Sequence, residues 1–161
     1  TYAMNNGQNP ITYTRVRALY VAKEDFTLRI SQRNIFTGIA ELFGFHGLPI
    51  GDREFERKYK IKCSNKARGR SLMIDRRLRE LIMVQPSLQL ELRRLPWGKR
   101  RKHGDGVRAV VVQTAGVIKD PDRLVQYLLL VAGILDQLLR TGGAFDGPVT
   151  EGRIHTLPRR G

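Results

Sequence analysis

The sequence predicts an α+β domain, with a mainly antiparallel sheet of about five strands and two principal helices packed on one side. Several short segments alternate apolar and polar residues, as half-buried strands do. Two other segments repeat their apolar residues at helical spacing. The predicted order of elements is strand, strand, short helix or plug, strand, helix, strand, strand, helix, which combines hairpins with helices.

A hairpin is predicted over residues 11–31. Residues 11–22 are rich in Thr, Tyr, Val and Ile and form its first strand, whose one face carries Thr12, Thr14, Val16, Ala18 and Tyr20. Residues 23–25 are predicted to turn. In the second strand, the predicted inward residues are Phe26, Leu28 and Ile30, and the outward ones are Thr27, Arg29 and Ser31. Residues 34–49 follow as a short helix or an apolar plug that packs against the hairpin.

A strand, a helix and a second strand are predicted between Phe55 and Arg94. Residues 55–63 alternate, so one side is buried (Phe55, Tyr59, Ile61, Cys63) and the other is solvated and mostly basic (Glu56, Lys58, Lys60, Lys62). Residues 71–83 repeat apolar residues at helical spacing, namely Ile74, Leu78, Leu81 and Ile82. Pro86 ends this helix, and Leu88, Leu90 and Leu92 mark the next strand.

The next predicted strand covers residues 107–114. Its run of Val110, Val111 and Val112 is typical of a strand buried on both faces. If it pairs with residues 88–94, residues 97–106 form an extended hairpin loop with a polybasic tip.

A long helix is predicted to begin at Asp120 and Pro121, because Asp caps free amides and Pro suits the first helical position. Its predicted core stripe is Leu124, Leu128, Val131, Leu135 and Leu138. Four further apolar residues lie on other faces: Leu129, Leu130, Ile134 and Leu139. The helix therefore needs a second cover, either the helix at residues 74–82 or another protein. Arg140 and the following glycines end it.

We predict one domain at residues 11–141, a lead-in or linker at residues 1–10 and a flexible tail at residues 142–161. The most apolar run, residues 124–135, is too short to span a bilayer, which takes roughly 20 residues. The single cysteine, Cys63, excludes an internal disulfide and is interpreted as a small core residue.

Charge sets this chain apart. Its 29 Lys and Arg exceed its 15 Asp and Glu, so the formal net charge is +14. Such an excess repels itself in a compact state unless an anionic partner offsets it. The candidate partners are an anionic membrane surface, an acidic protein and nucleic acid.

The predicted anion-binding residues lie in and around the central unit and in the polybasic loop. They are Lys66, Arg68, Arg70, Arg76, Arg77, Arg79, Arg93, Arg94, Lys99, Arg100, Arg101 and Lys102. Trp97 beside this loop is the predicted membrane-interface residue, because bilayer edges favour aromatic residues next to cations. Nucleic acid would use the same charge. However, the sequence shows no pair of exposed aromatics typical of an RNA-recognition sheet.

The sequence indicates no catalytic residues, cofactor or metal ligands. His46, His103 and His155 lie in a plug, a loop and a tail, without an acid and a nucleophile in a recognisable triad pattern. No pair of histidines or cysteines has zinc-site spacing. An enzyme that uses Asp52 and Glu54 is the third hypothesis.

Residues 50–62, Ile-Gly-Asp-Arg-Glu-Phe-Glu-Arg-Lys-Tyr-Lys-Ile-Lys, resemble a segment of a group of uncharacterised bacterial α+β domains. The resemblance covers about residues 26–140, and in that group a leucine-rich helix closes the domain. Many of its members are cytoplasmic domains attached to one or two upstream membrane helices. The resemblance implies an architecture and a cytoplasmic, membrane-associated setting, and it implies no activity. The strongly basic surface departs from the group.

Together these features predict a non-catalytic, membrane-proximal accessory or assembly domain. Its basic face would bind anionic lipid or an acidic partner, such as a membrane protein complex. The helix at residues 121–140 would provide an oligomer interface. The alternative is an RNA- or ribosome-associated basic binding protein.

Overall fold

The computed structural model describes residues 2–4, 11–33, 47–147 and 149, and it confirms the α+β class. The strands are β1 (Tyr2–Met4), β2 (Ile11–Val21), β3 (Leu28–Gln32), β4 (Tyr59–Cys63), β5 (Gln89–Arg94) and β6 (Val107–Ala115). The helices are α1 (Arg53–Lys58), α2 (Lys66–Met73), α3 (Arg76–Met83), α4 (Trp97–His103) and α5 (Pro121–Arg140).

The described strands form one sheet in the order β1-β2-β6-β5-β3-β4, and all neighbours are antiparallel. The predicted pairing of β5 with β6 is confirmed, with Leu90 opposite Val112. Residues 107–112 are all buried, as predicted for a strand covered on both faces. Strand β6 therefore lies in the interior of the sheet.

The predicted hairpin of residues 11–31 is wrong, because β2 pairs with β1 and β6 while β3 pairs with β4 and β5. Residues 22–27 cross the ends of β6 and β5 instead of turning. This crossing spans three strand spacings, about 14 Å, and six extended residues reach about 20 Å. Asp25 fixes the crossing by accepting hydrogen bonds from Arg94 of β5 and Arg108 of β6.

Strand β4 begins at Tyr59, so the prediction of a strand from Phe55 is wrong at its start. Residues 53–58 are helical because Asp52 caps α1, accepting a hydrogen bond from the Phe55 amide at 3.0 Å. The Glu56 carboxylate also accepts from the amides of Ile50 and Gly51. Acidic residues in the first turn of α1 and basic residues in its last turn complement the helix dipole.

The single helix predicted over residues 71–83 is two helices, α2 and α3. Asn65 caps α2 and Asp75 caps α3, and each side chain accepts a backbone amide hydrogen bond. The cap at Asp75 interrupts the predicted apolar stripe. Ile74 is therefore 74% exposed, while Leu78 and Ile82 are buried as predicted.

Helices α2, α3 and α5 contribute to one core against a single face of the sheet. This core contains Leu90, Leu92, Val110 and Val112 from the strands. The predicted stripe of α5 is corrected, since Leu124 and Leu128 are exposed. The buried residues of α5 are Tyr127, Leu130, Val131, Ile134, Gln137 and Leu138.

Both predicted flanking segments contain residues that contact β2. Strand β1 lies in the predicted lead-in and pairs with β2. After α5, Ala144 forms a bridge with Ala22, and the Phe145 amide donates to the Val21 carbonyl at 2.9 Å. The predicted plug lies mostly at residues 34–46, outside the described ranges. Every helix in the described part of the chain is too short or too polar to cross a bilayer.

Candidate anion-binding surface

Alternation along the strands gives the sheet two different faces. In β5, Leu90 and Leu92 point into the core with the helices, so Gln89, Glu91 and Arg93 lie on the opposite face. We call this second side the helix-free face, since no described helix contributes to the apolar cluster found there.

Cations from four strands project from the helix-free face around one carboxylate. They are Arg15 and Arg17 of β2, Arg29 of β3, Lys62 of β4 and Arg93 of β5. Glu91 lies between Arg29, at 3.3 Å, and Arg93, at 3.4 Å. The Glu91 carboxylate offsets only part of this charge. The half of the face that carries these polar side chains is therefore positive.

Amide side chains order part of the same face. The Arg15 guanidinium donates to the side-chain oxygen Oε1 of Gln113 at 2.7 and 2.9 Å. The side-chain nitrogen of Gln113 donates in turn to Oε1 of Gln89 at 2.7 Å. On the same face Lys60 is only 8% exposed, so the prediction that it is solvated is wrong. Lys60 pairs with Ser31 across the strands, and the segment that begins at Gly47 lies beside it, with the Leu48 amide donating to the Ile61 carbonyl.

The other half of the helix-free face is apolar. Val21, Leu95, Val107, Ala109 and Val111 form a second, smaller cluster, against which Leu19 and Val149 pack. Because Leu95 belongs to this cluster, the chain leaves β5 on the helix-free side. Helix α4 begins two residues later, just beyond the end of β5.

Helix α4 carries the polybasic run predicted to be an extended loop. Its seven residues include Lys99, Arg100, Arg101 and Lys102 and no acid. Arg100, Arg101 and Lys102 lie in the last turn, where positive charge complements the helix dipole. Trp97 is 67% exposed, and the Arg101 guanidinium lies over its ring at 5.3 Å. Arg100 approaches Asp105 at 4.0 Å.

The cations predicted on α2 and α3 lie on the other side of the sheet, and several hold the fold together. Arg68 pairs with Glu24 and donates to the Thr141 carbonyl. Arg79 donates to Asp52 at 3.0 Å and to the carbonyls of Met73 and Ile74. The others are more exposed: Lys66, Arg70 on the Pro49 carbonyl, Arg76 on Glu80, and Arg77. The predicted basic surface therefore divides into two.

Arg94 belongs to a structural cluster at the end of the sheet. It pairs with Asp25, which also accepts from the buried Arg108 at 3.1 Å. Burial lowers the pKa of Arg108, and it raises the pKa of Tyr20, the residue opposite in β2, to about 12. Arg94 thus contributes to the crossing connection as well as to the positive surface.

Asp52 has a structural role that accounts for the lowered pKa of its carboxyl. The hydrogen bond from the Phe55 amide holds the pKa of this carboxyl below its usual value, and the Arg79 guanidinium adds to the effect. Burial raises the pKa of Cys63, which does not activate a thiol. His46 and His155 lie outside the described ranges. Within those ranges, no group of three or more His, Cys, Asp or Glu could hold a metal ion.

The residues that sequence reasoning left out are Arg15 and Arg17, together with the outward neighbours Arg29 and Lys62. The signal was present, because Arg15 and Arg17 alternate with Thr14, Val16 and Ala18. Their convergence with Arg93 depends on strand order, which the predicted hairpin misplaced. Compared with known proteins, the chain matches no family model, no curated protein and no solved structure.

Proposed function

We propose that this is a non-catalytic accessory domain that binds an anionic membrane surface through α4 and the adjoining cations of the helix-free face. The observation that carries the proposal is the composition of α4. An exposed Trp97 stacks against Arg101 on a helix with three further cations and no acid. Interfacial tryptophan beside Lys and Arg is the combination that bilayer headgroups favour.

The energetics are sufficient for reversible binding. Each cation near an anionic bilayer contributes roughly 1 kcal/mol, so the four of α4 contribute roughly 4 kcal/mol, and Arg93 and Arg29 lie on the adjoining face. Trp97 adds apolar contact that does not depend on salt. An acidic patch on a membrane protein would meet the same cations, and binding to lipid alone separates the two sources.

Nucleic acid is the second candidate, favoured by the polar half of the helix-free face. Arg15, Arg17, Arg29 and Lys62 supply charge for phosphates, and Gln89 and Gln113 supply amide groups. The affinity of this face for nucleic acid would fall steeply with salt, because binding releases counterions.

Vesicle co-sedimentation tests the first proposal. We expect the protein to bind vesicles that contain phosphatidylserine at 0.15 M salt and not to bind neutral vesicles. Replacing Lys99, Arg100, Arg101 and Lys102 by Ser should weaken this binding at least tenfold. The matched control replaces Lys66, Arg70, Arg76 and Arg77 by Ser, which removes the same charge from the helical side and should have a much smaller effect. Equal losses in both variants would contradict a specific role for α4.

Trp97→Ala separates lipid from nucleic acid. Loss of the ring should weaken vesicle binding, because it removes interfacial apolar contact, and the loss should persist at 0.5 M salt. Single-stranded RNA added as a competitor should not release the bound protein. Release by RNA at low concentration, together with weakened RNA binding by Arg15→Ser and Arg17→Ser, would favour the nucleic-acid candidate.

A further inference from the structure

Helix α5 carries a second apolar stripe that faces away from the core. Val125 and Leu128 are about half exposed, at 51% and 52%, and Ala132 and Leu139 are exposed as well. Together with Pro121 and the partly buried Leu135, the stripe consists of residues 121, 125, 128, 132, 135 and 139. Successive members are separated alternately by four residues and by three. This is the a and d spacing of helices that pair side by side.

The exposed stripe is more than scattered surface hydrophobics. Leu124 and Leu129 flank it and are 40% and 54% exposed, so the apolar area continues along the helix. A 20-residue helix is about 30 Å long, which provides an extended contact line. Continuous apolar surface of this kind marks an interaction site.

Charge distinguishes among the occupants of this surface. Residues 120–140 contain three acids, Asp120, Asp122 and Asp136, and two cations, Arg123 and Arg140. The helix is therefore slightly acidic in a chain of net charge +14. An anionic membrane or nucleic acid gains no attraction here. The two ends of the helix differ in charge, because Asp120 and Asp122 outnumber Arg123 at the start and Arg140 lies in the last turn.

We propose that two copies of this chain pair through α5 as an antiparallel, two-fold symmetric dimer. In the register that matches a positions with d positions, Leu128 lies opposite Ala132 of the partner subunit, so a large residue meets a small one. Val125 lies opposite Leu135 of the partner subunit, and Pro121 opposite Leu139 of the partner subunit. The two-fold axis repeats each contact.

The same register brings the charged ends together. Arg140, which pairs with Asp136 of its own helix at 2.8 Å, lies beside Asp122 of the partner subunit. Antiparallel packing also places each helix amino end next to a carboxyl end, which the helix dipoles favour. A parallel pair would instead bring Asp122 to Asp122 and Arg140 to Arg140. Charge therefore selects the antiparallel arrangement.

Sedimentation velocity of the whole chain, without lipid or RNA, tests the dimer independently of the proposed function. We expect a species of twice the 18.4 kDa chain mass at micromolar concentration. Leu128→Glu should yield the monomer, because it places a carboxylate against Ala132 of the partner subunit. Ile74→Glu is the matched control, since Ile74 is exposed, apolar and outside α5, and it should leave the dimer intact. A wild-type monomer up to ~100 μM, or a dimer that Leu128→Glu leaves unchanged, would overturn the proposal.

Charge reversal tests the orientation. Asp122→Lys and Arg140→Glu should each raise the dimer dissociation constant roughly threefold to tenfold, because each replaces attraction by repulsion. The variant that combines Asp122→Lys with Arg140→Glu should recover most of the lost dimer affinity. Circular dichroism melting of each variant checks that the fold is retained. A dimer that neither single reversal weakens would exclude the antiparallel register.

Discussion

At the scale of single residues, the burial of Tyr20 makes stability depend on alkaline pH. Burial raises the pKa of Tyr20 to about 12, although the neighbouring Arg108 lowers it in part. Between the ordinary tyrosine pKa of about 10 and about 12, the unfolded chain loses this proton while the folded chain retains it. The unfolded state then binds fewer protons, so the free energy of unfolding falls as pH rises.

We therefore predict that stability is constant with respect to Tyr20 below about pH 10 and that it falls by about 2–3 kcal/mol by pH 12. Tyr59 and Cys63, whose pKa values burial also raises, contribute in the same direction. Urea unfolding between pH 8 and 12 should show a shallower decline for Tyr20→Phe than for the wild type. Tyr13→Phe, on the other face of β2, is the control. Parallel declines for Tyr20→Phe and the wild type would contradict the assignment.

At the scale of secondary-structure elements, two helical glycines should respond to alanine in opposite ways. A Cβ at Gly69 in α2 would lie 2.7 Å from Leu48 Cδ2 and 2.8 Å from Cys63 Sγ. A Cβ at Gly133 in α5 would lie 3.6 Å from Leu78 Cδ1, an ordinary contact. Alanine favours a helix over glycine by about 1 kcal/mol at either position. Only at Gly69 does the steric conflict with β4 oppose this gain.

Gly69→Ala should therefore lower the free energy of unfolding by about 1–3 kcal/mol, the usual cost of overpacking. Gly133→Ala should raise it by about 0.5–1 kcal/mol. Chemical denaturation of both variants measures the difference, and each serves as the control for the other. Stabilisation by Gly69→Ala would show that Leu48 and Cys63 move aside at little cost.

The elements themselves show what local pattern determines and what it does not. The start of α5 at Asp120 and Pro121 was predictable, because a cap depends on a few adjacent residues. The start of α1 was missed, since Phe55, Tyr59 and Ile61 fit period two although Asp52 provides a cap. The place of β3 was missed for a different reason. Asp25 contacts Arg94 and Arg108, which are 69 and 83 residues away, and no local pattern encodes that contact.

At the scale of the whole molecule, sequence predicted the excess charge and the polybasic run but not their arrangement. Lys99 to Lys102 are consecutive, so their clustering needs no tertiary information. Arg93 and Arg79 are close in sequence, yet they lie on opposite sides of the sheet because β5 begins between them. Arg15 joins the helix-free face through the pairing of β2 with β6, a contact that spans most of the chain.

The excess charge should make folding stability rise with salt. With a formal net charge of +14, repulsion among cations destabilises the compact state at low ionic strength. Raising salt from 0.01 M to 0.15 M shortens the Debye length from about 30 Å to about 8 Å, which screens this repulsion. Local ion pairs such as that of Arg76 and Glu80 lose some strength, but they are exposed and contribute little.

We predict that the thermal midpoint of the wild type increases over this range of sodium chloride. Replacing the four cations at residues 99–102 by Ser lowers the formal net charge from +14 to +10 and should reduce the increase. The matched replacement at Lys66, Arg70, Arg76 and Arg77 should reduce it similarly, because long-range repulsion depends on total charge. Vesicle binding should differ, because there only the α4 variant should lose much of its affinity. A midpoint that falls with salt in the wild type would show that ion pairs such as Arg94 with Asp25 outweigh the excess charge.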